Sequence, residues 1–289
     1  MKQVAVISGK GGTGKTVITA ALAALVKNKV MADCDVDAAD LHLLLKPRIK
    51  EKHIFKSGAT ALINKDKCTQ CGKCIKICRF HAISKEFEID SISCEGCAFC
   101  KFACPVEAIT MEDNLSGEWF ISDTRFGPMV HAKLGIAEEN SGKLVTLVRK
   151  QAKETSEKNS SNWIIIDGAP GTGCPVIASL ANVDCALVVT EPTLSGLHDA
   201  DRVIGVAKHF GVFVALLVNK YDLNTDMAKK IEEYCKKNGI PVVGKIGFDK
   251  DIVRAVVEHK TILEYSNGKT NKIIKEMWNR IDKQIHLRL

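Results

Sequence analysis

Residues 1–16 read "MKQVAVISGKGGTGKT", and this stretch decides the class of fold. A short apolar run, Gln3 to Ser8, breaks into a glycine-rich turn that ends in Lys15 and Thr16. From Gly9 to Thr16 the turn has the form G-x-x-x-x-G-K-[ST], in which backbone N–H groups and the start of the next helix cradle phosphates. A buried strand that feeds such a loop and then a helix is the first unit of a layered α/β sheet. Gly9, Gly11, Gly12, Thr13 and Gly14 are expected to line the loop, with Lys15 on the β- and γ-phosphates and the Thr16 hydroxyl on Mg2+. Lys10 is one lysine more than the motif needs.

The rest of the chain extends this unit. "NWIIID", "CALVVT" and "FVALLVN" are continuous apolar runs rich in β-branched residues, as parallel strands covered on both faces require. Helical stretches alternate with them at 16–26, 143–153, 195–210 and 225–237. The predicted fold is therefore α/β, a doubly wound and mostly parallel sheet. In "WIIIDGAPGTG", Asp167 ends a buried strand where it can hold Mg2+ through water, and residues 168–173 form a loop suited to sensing the terminal phosphate. In "ADCDVDAADL", Asp35 is the candidate for orienting an attacking water and Asp33 the second choice. Asp37 and Asp40 are expected to face solvent or cap a helix.

The 289 residues carry a net charge of +7, with lysines and acids interspersed and no basic block, so no nucleic-acid partner is expected. No twenty-residue apolar span occurs, and the N-terminal run reaches its glycines too early for a signal peptide. A cytoplasmic protein is expected. The anomaly is cysteine: of twelve, eight lie between residues 68 and 104. Clustered cysteines at short fixed spacing in such a chain point to metal binding before disulfides. Cys34, Cys185 and Cys235 read as buried small apolar residues, and so does Cys174. His131 and His198 lie near loops that carry function, where capping or surface roles are also open.

The eight cysteines form two units twenty-six residues apart, "CTQCGKCIKICRFHAI" and "CEGCAFCKFACPVEAI". Both read C-x2-C-x2-C-x3-C and share an Ala-Ile pair, so the repeat includes apolar positions as well as thiols. An inserted α+β module is placed at 64–111, which leaves 1–63 and 112–289 as one discontinuous nucleotide-binding domain. Zinc also accepts four thiolates, but duplicated x2-x2-x3 runs resemble the bacterial two-cluster ferredoxins, in which the fourth cysteine of each run crosses to the other cluster. That resemblance implies one [4Fe-4S] cluster on Cys68, Cys71, Cys74 and Cys104, and a second on Cys94, Cys97, Cys100 and Cys78. Pro105 follows the last ligand as in that pattern, whereas Arg79 stands where a proline follows Cys78 there.

"KGGTGKT" resembles the loop K-G-G-x-G-K-[ST] of the MinD/ParA-like P-loop ATPases. The resemblance implies ATP as ligand and a nucleotide-dependent homodimer in which Lys10 reaches the partner's phosphates. It also implies that Asn219 contacts adenine, although "NKYD" at 219–222 fits the guanine-reading N-K-x-D element too. With its insert, the chain is similar to MinD-superfamily ATPases that contain a ferredoxin domain. That similarity implies ATP hydrolysis coupled to electron transfer through two clusters, with an unidentified redox protein as partner. A second expectation is a cluster carrier or assembly ATPase that hands its cluster to an acceptor protein, because "TRFGPMVHA" and "DGAPGTG" resemble segments of the Mrp-type carriers. The C-terminal C-x-x-C of those carriers is missing. The nitrogenase iron protein, of the same superfamily, has a cluster ligand at the offset that Cys174 has from Asp167, without a matching second cysteine here. A third expectation is a membrane-cycling regulator like MinD, since the tail 271–289 has Ile274, Trp278, Ile281 and Ile285 on one helical face. A helix packed on the sheet gives the same stripe, so stable membrane binding is not expected.

Overall fold

The computed structural model describes residues 1–135 and 141–288. The first elements are β1 (Lys2–Ser8), α1 (Lys15–Leu25), β2 (Lys29–Asp33), α2 (Leu41–Leu45), β3 (Arg48–Ile63), α3 (Lys73–Ile77) and α4 (Phe99–Ala103). There follow β4 (Ile109–Thr124), β5 (Gly127–Leu134), α5 (Ser141–Lys158), β6 (Trp163–Pro170), α6 (Cys174–Leu180), β7 (Cys185–Thr190) and α7 (Leu194–His209). The chain ends with β8 (Phe213–Asn219), α8 (Thr225–Lys237), β9 (Val242–Ile246), α9 (Lys250–Val257), α10 (Ile262–Tyr265) and α11 (Lys269–His286).

Nine strands form one sheet in the order β3-β4-β5-β2-β6-β1-β7-β8-β9. From β5 to β9 each neighbouring pair is parallel. β1 is central, and β2, β7 and β8 are buried along their whole length, as expected of strands covered by helices on both faces. The mostly parallel α/β sheet agrees with the reading of the sequence. Three details differ from it. β6 runs three residues past Asp167 to Pro170, so this acid lies inside the strand and residues 168–170 of the expected loop belong to the strand. The apolar segment "GEWFISDTRFGPMVHA" is two strands joined at Arg125 and Phe126, and β3 gave no strand signal because its first residues, "RIKEKH", are charged and largely exposed.

The chain forms two compact units. The first comprises Met1–His53, Trp119–Lys133 and Ser141–Leu289, and the second comprises Ile54–Glu118 with the segment that starts at Leu134. In the first, α1, α2 and α11 pack apolar side chains onto β1, β2, β6, β7 and β8. The face of α11 with Ile274, Trp278, Ile281 and Ile285 is buried in this core, so that stripe serves packing. The second unit has a small core, Ala61, Cys74, Ile83, Cys100 and Ile109, in which two of five residues are cysteines.

The cysteine repeat is also a repeat of backbone. Gln70 and Gly96, Gly72 and Ala98, and His81 and Glu107 are pairs twenty-six residues apart, and all six have positive φ, between 51° and 71°. Gly72 precedes α3 and Ala98 precedes α4, so each copy enters its short helix through the same left-handed residue.

Candidate nucleotide site and paired cysteine pockets

In the first unit, parallel pairing places the C-terminal ends of β1, β2, β6, β7 and β8 along one edge of the sheet, where ligands of such folds bind. The glycine loop lies on that edge and is held at both ends. A Cβ at Gly9 would lie 2.2 Å from the backbone of Asp199 on α7, so only glycine lets the loop pass. Gly14, at φ +94°, turns the chain into α1, and a Cβ there would lie 2.6 Å from Asn219 Nδ2. Asn219 is buried at the end of β8. Its Nδ2 donates to the Thr13 carbonyl at 2.8 Å, and its Oδ1 accepts from the Lys220 N–H at 3.0 Å. The residue expected to contact adenine thus braces the loop in this state.

Lys15 is buried at the start of α1, with Nζ 3.6 Å from Asp35 Oδ2. Asp35, the candidate for water orientation, here holds the phosphate lysine. Burial raises its pKa, and the charge of Lys15 opposes the rise. Asp33 and Asp167 are register partners on β2 and β6, and both are fully buried. Asp167 Oδ1 accepts from Thr19 Oγ1 at 2.8 Å and Asp33 Oδ1 from the Asp35 N–H at 3.2 Å, but Oδ2 of each has no partner. Burial pushes Asp167 up to about 6, against the pull of Lys15 and the hydroxyls of Thr19 and Thr16. Asp33 stands well above the usual carboxylate range, through burial first and the charge of Asp167 second. Two buried carboxylates with one bare oxygen each, beside Thr16, suit a hard divalent cation that binds oxygen.

Lys10 turns away from the loop toward α7 of its own chain. Its Nζ is 3.3 Å from Ser195 Oγ, 3.5 Å from Thr193 Oγ1 and 3.9 Å from Glu191 Oε2. Glu191 Oε1 accepts from Lys220 Nζ at 2.6 Å. No motif in the sequence marks Glu191. The available signal was its position, a lone acid directly after the buried run "CALVVT".

In the second unit, two pockets each carry four cysteines. One is lined by Cys68, Cys71, Cys74 and Cys104 with Ile63, Phe87 and Ile109 among its apolar neighbours. The other is lined by Cys78, Cys94, Cys97 and Cys100 with Phe80, Phe99 and Ile83. In each pocket three cysteines come from one run and the fourth from the other. None of the twelve cysteines is joined in a disulfide, and the Ala108 N–H donates to Cys104 Sγ at 3.2 Å. Among the described residues no group of three or more His, Cys, Asp or Glu converges as a site for a metal ion. A cubane spreads its thiolates over four iron atoms, which sets them farther apart than the ligands of a single ion.

The other sequence candidates fall into place around these sites. Cys34, Cys185 and Cys235 are buried, as expected. Cys174 is not a core residue: it is exposed at the first position of α6, where the chain leaves the sheet. His131 is buried, with Nε2 2.9 Å from Ser122 Oγ, and burial drives its pKa down to about 4, while His198 is exposed beside Asp199. Arg125 of "TRFGPMVHA" donates to the Leu44 and Leu45 carbonyls and to both oxygens of Glu264, which makes it a clamp on the ends of α2 and α10. Asp222 Oδ1 accepts from the Phe248 N–H at 2.7 Å. Asp37 and Asp40 are exposed.

Residues 4–262 match the family model for the CobQ/CobB/MinD/ParA nucleotide binding domain. An uncharacterized protein of Methanocaldococcus jannaschii is 34% identical over 286 residues, 96% of each chain. Pyruvate synthase subunit PorD of Methanothermobacter marburgensis is 50% identical over a stretch of 50 residues, 17% of this chain and 62% of that one. Among solved structures, the cell division ATPase MinD of Pyrococcus furiosus shares the fold with a TM-score of 0.60 at 20% identity, covering 98% of this chain and 99% of that one.

Proposed function

The chain belongs to the CobQ/CobB/MinD/ParA nucleotide-binding family and is a P-loop ATPase of it, and from that premise we propose that it couples nucleotide-driven dimerisation to electron transfer through two [4Fe-4S] clusters. The observation that carries the proposal is the pair of four-cysteine pockets, each completed by the fourth cysteine of the opposite run. It is the arrangement that the crossed ligation of two-cluster ferredoxins requires. Held by Cys68, Cys71, Cys74 and Cys104 and by Cys78, Cys94, Cys97 and Cys100, the clusters would supply one-electron transfer. The protein's own part there is to exclude water with Ile63, Ile83 and Ile109 and to direct the Ala108 N–H at Cys104 Sγ.

At the nucleotide site, the unpaired oxygens of Asp33 and Asp167 and the hydroxyl of Thr16 would hold Mg2+, which would neutralise phosphate charge, and Lys15 would pass from Asp35 to the phosphates. Asp35, relieved of Lys15, is then placed to orient the attacking water. Lys10 contributes the cation that meets transition-state charge across the dimer. The engagement of Asp222 with the Phe248 backbone supports ATP over GTP, because a base-reading aspartate needs that oxygen. The reading as a positional regulator like MinD draws on the family itself, but its membrane helix would have to withdraw the buried stripe of α11 from the core.

Anaerobically purified protein is expected to carry about eight irons and eight acid-labile sulfides per chain, with cluster signals in low-temperature EPR after reduction. Stoichiometric zinc without a reducible centre overturns the redox reading and leaves the ATPase standing. Lys10→Ala is expected to bind nucleotide yet lose both ATP-dependent dimerisation and hydrolysis, by several orders of magnitude in rate. Asp35→Ala should dimerise and fail to turn over. Light scattering and phosphate release with Mg-ATP decide both.

A further inference from the structure

We infer that Glu191 is a positioning residue that parks Lys10 inside its own chain and releases it when two chains meet on nucleotide. The inference rests on the reading of Lys10 as a cation that acts across the dimer. A continuous path of contacts leaves the phosphate loop and returns to it. Thr13 carbonyl accepts from Asn219, Asn219 accepts from the Lys220 N–H, and Lys220 Nζ donates to Glu191 Oε1. Glu191 Oε2 then faces Lys10 Nζ at 3.9 Å. Glu191 is 18% exposed at its side chain, so its charge is only partly screened by water.

The two lysines are not equivalent. Lys220 at 2.6 Å is the tight counterion, and Lys10 at 3.9 Å is the loose one. When Lys10 leaves, Glu191 keeps a partner, so no bare carboxylate is left in a half-buried place. Lys10 otherwise rests on hydroxyls of Thr193 and Ser195 at the N-terminus of α7, where the helix dipole disfavours a cation. Attraction to Glu191 and repulsion from the helix end are of comparable size, which leaves the parked position close to balance. Polyphosphate on a facing copy offers a larger concentration of negative charge than one shared carboxylate. Parking also keeps Lys10 off its own loop, where Lys15 already serves the phosphates.

Glu191→Gln keeps the shape and a hydrogen-bond acceptor for Lys220 while removing the charge that retains Lys10. The expected result is an ATP-dependent dimer that forms at a protein concentration about two- to fivefold lower than wild type, measured by sedimentation with Mg-ATP. The ADP form should remain monomeric. Amine labelling of the ADP-bound monomer, read by mass spectrometry, should show Lys10 modified faster in Glu191→Gln than in wild type. This readout needs no dimer, and it registers a loose Lys10 and not a general loss of fold if Lys29 labels as in wild type. The gain in dimerisation should vanish in the Lys10→Ala background. Unchanged labelling of Lys10 and an unchanged or weaker dimer, with Lys10→Ala still defective, overturn the parking role alone. A Lys10→Ala protein that dimerises as wild type overturns the trans reading and this inference with it.

Discussion

The acid pair Asp33 and Asp167 shows how single residues decide the chemistry of the site. Neither carboxylate has a full set of partners, and burial holds both toward the protonated form. For Asp167 the folded pKa, about 6, lies above the ordinary aspartate value. Between that ordinary value and about 6 the folded protein binds more protons than the unfolded chain, so this group's contribution falls as pH rises through the window. The limiting slope is roughly 1.4 kcal/mol per pH unit. His131 has the opposite sign over much of the same range, since burial holds it at about 4 and its contribution is lost as pH falls. The clean measurement is therefore a difference: between about pH 4 and pH 6 the urea stability of wild type relative to Asp167→Asn should decline, and Mg-ATP should abolish the decline. A flat difference would mean that water or another partner reaches Asp167 Oδ2. The identities of Asp167, Lys15 and Thr16 were legible from the motifs, whereas the pairing of Asp33 with Asp167 was not, because strand order is a property of the sheet.

At the scale of elements, the duplicated cysteine units were legible as sequence, and their shared backbone was not. Ala98 sits at φ +63° where its counterpart Gly72 sits at φ +71°. An L-residue in that region costs about 1–2 kcal/mol, partly offset by the lower entropy of alanine in the unfolded chain. Ala98→Gly should therefore stabilise the second unit by about 0.5–1 kcal/mol, and Gly72→Ala should destabilise it by a similar amount, both measured by denaturation of the anaerobically purified protein. Equal and negligible shifts would remove the claim that both copies depend on the left-handed entry to their helices. β3 stayed hidden for a different reason. Its first residues are charged and exposed at the sheet edge, so the alternation that marks a half-covered strand is absent.

The whole molecule has two cores of very different strength. That of the first unit is built from β1, β2, β6 to β8 and the helices on them, whereas that of the second is, among the described residues, a cluster of five buried side chains, two of them from cysteines. On the cluster reading proposed above, a core so small would gain much of its stability from bound metal. Chelation of iron from the anaerobic protein should therefore abolish hydrogen-exchange protection in residues 64–111 while residues 1–26 and 163–219 stay protected and nucleotide still binds. Retained protection in 64–111 would mean that the module folds on its apolar contacts alone.

The sequence by itself determined the α/β class, the phosphate loop, the acids Asp33, Asp35 and Asp167 as site candidates, and the cysteine repeat, because each is encoded by neighbours along the chain: a glycine spacing, an apolar run, a fixed thiol interval. Only the tertiary structure decided what depends on residues brought together from afar. It put Asp33 beside Asp167, Asn219 under Thr13, Cys174 at the surface, and Glu191 between Lys10 and Lys220. The physical reason is that a side chain's partner is fixed by the order and register of strands far apart in sequence, and no local pattern records that order.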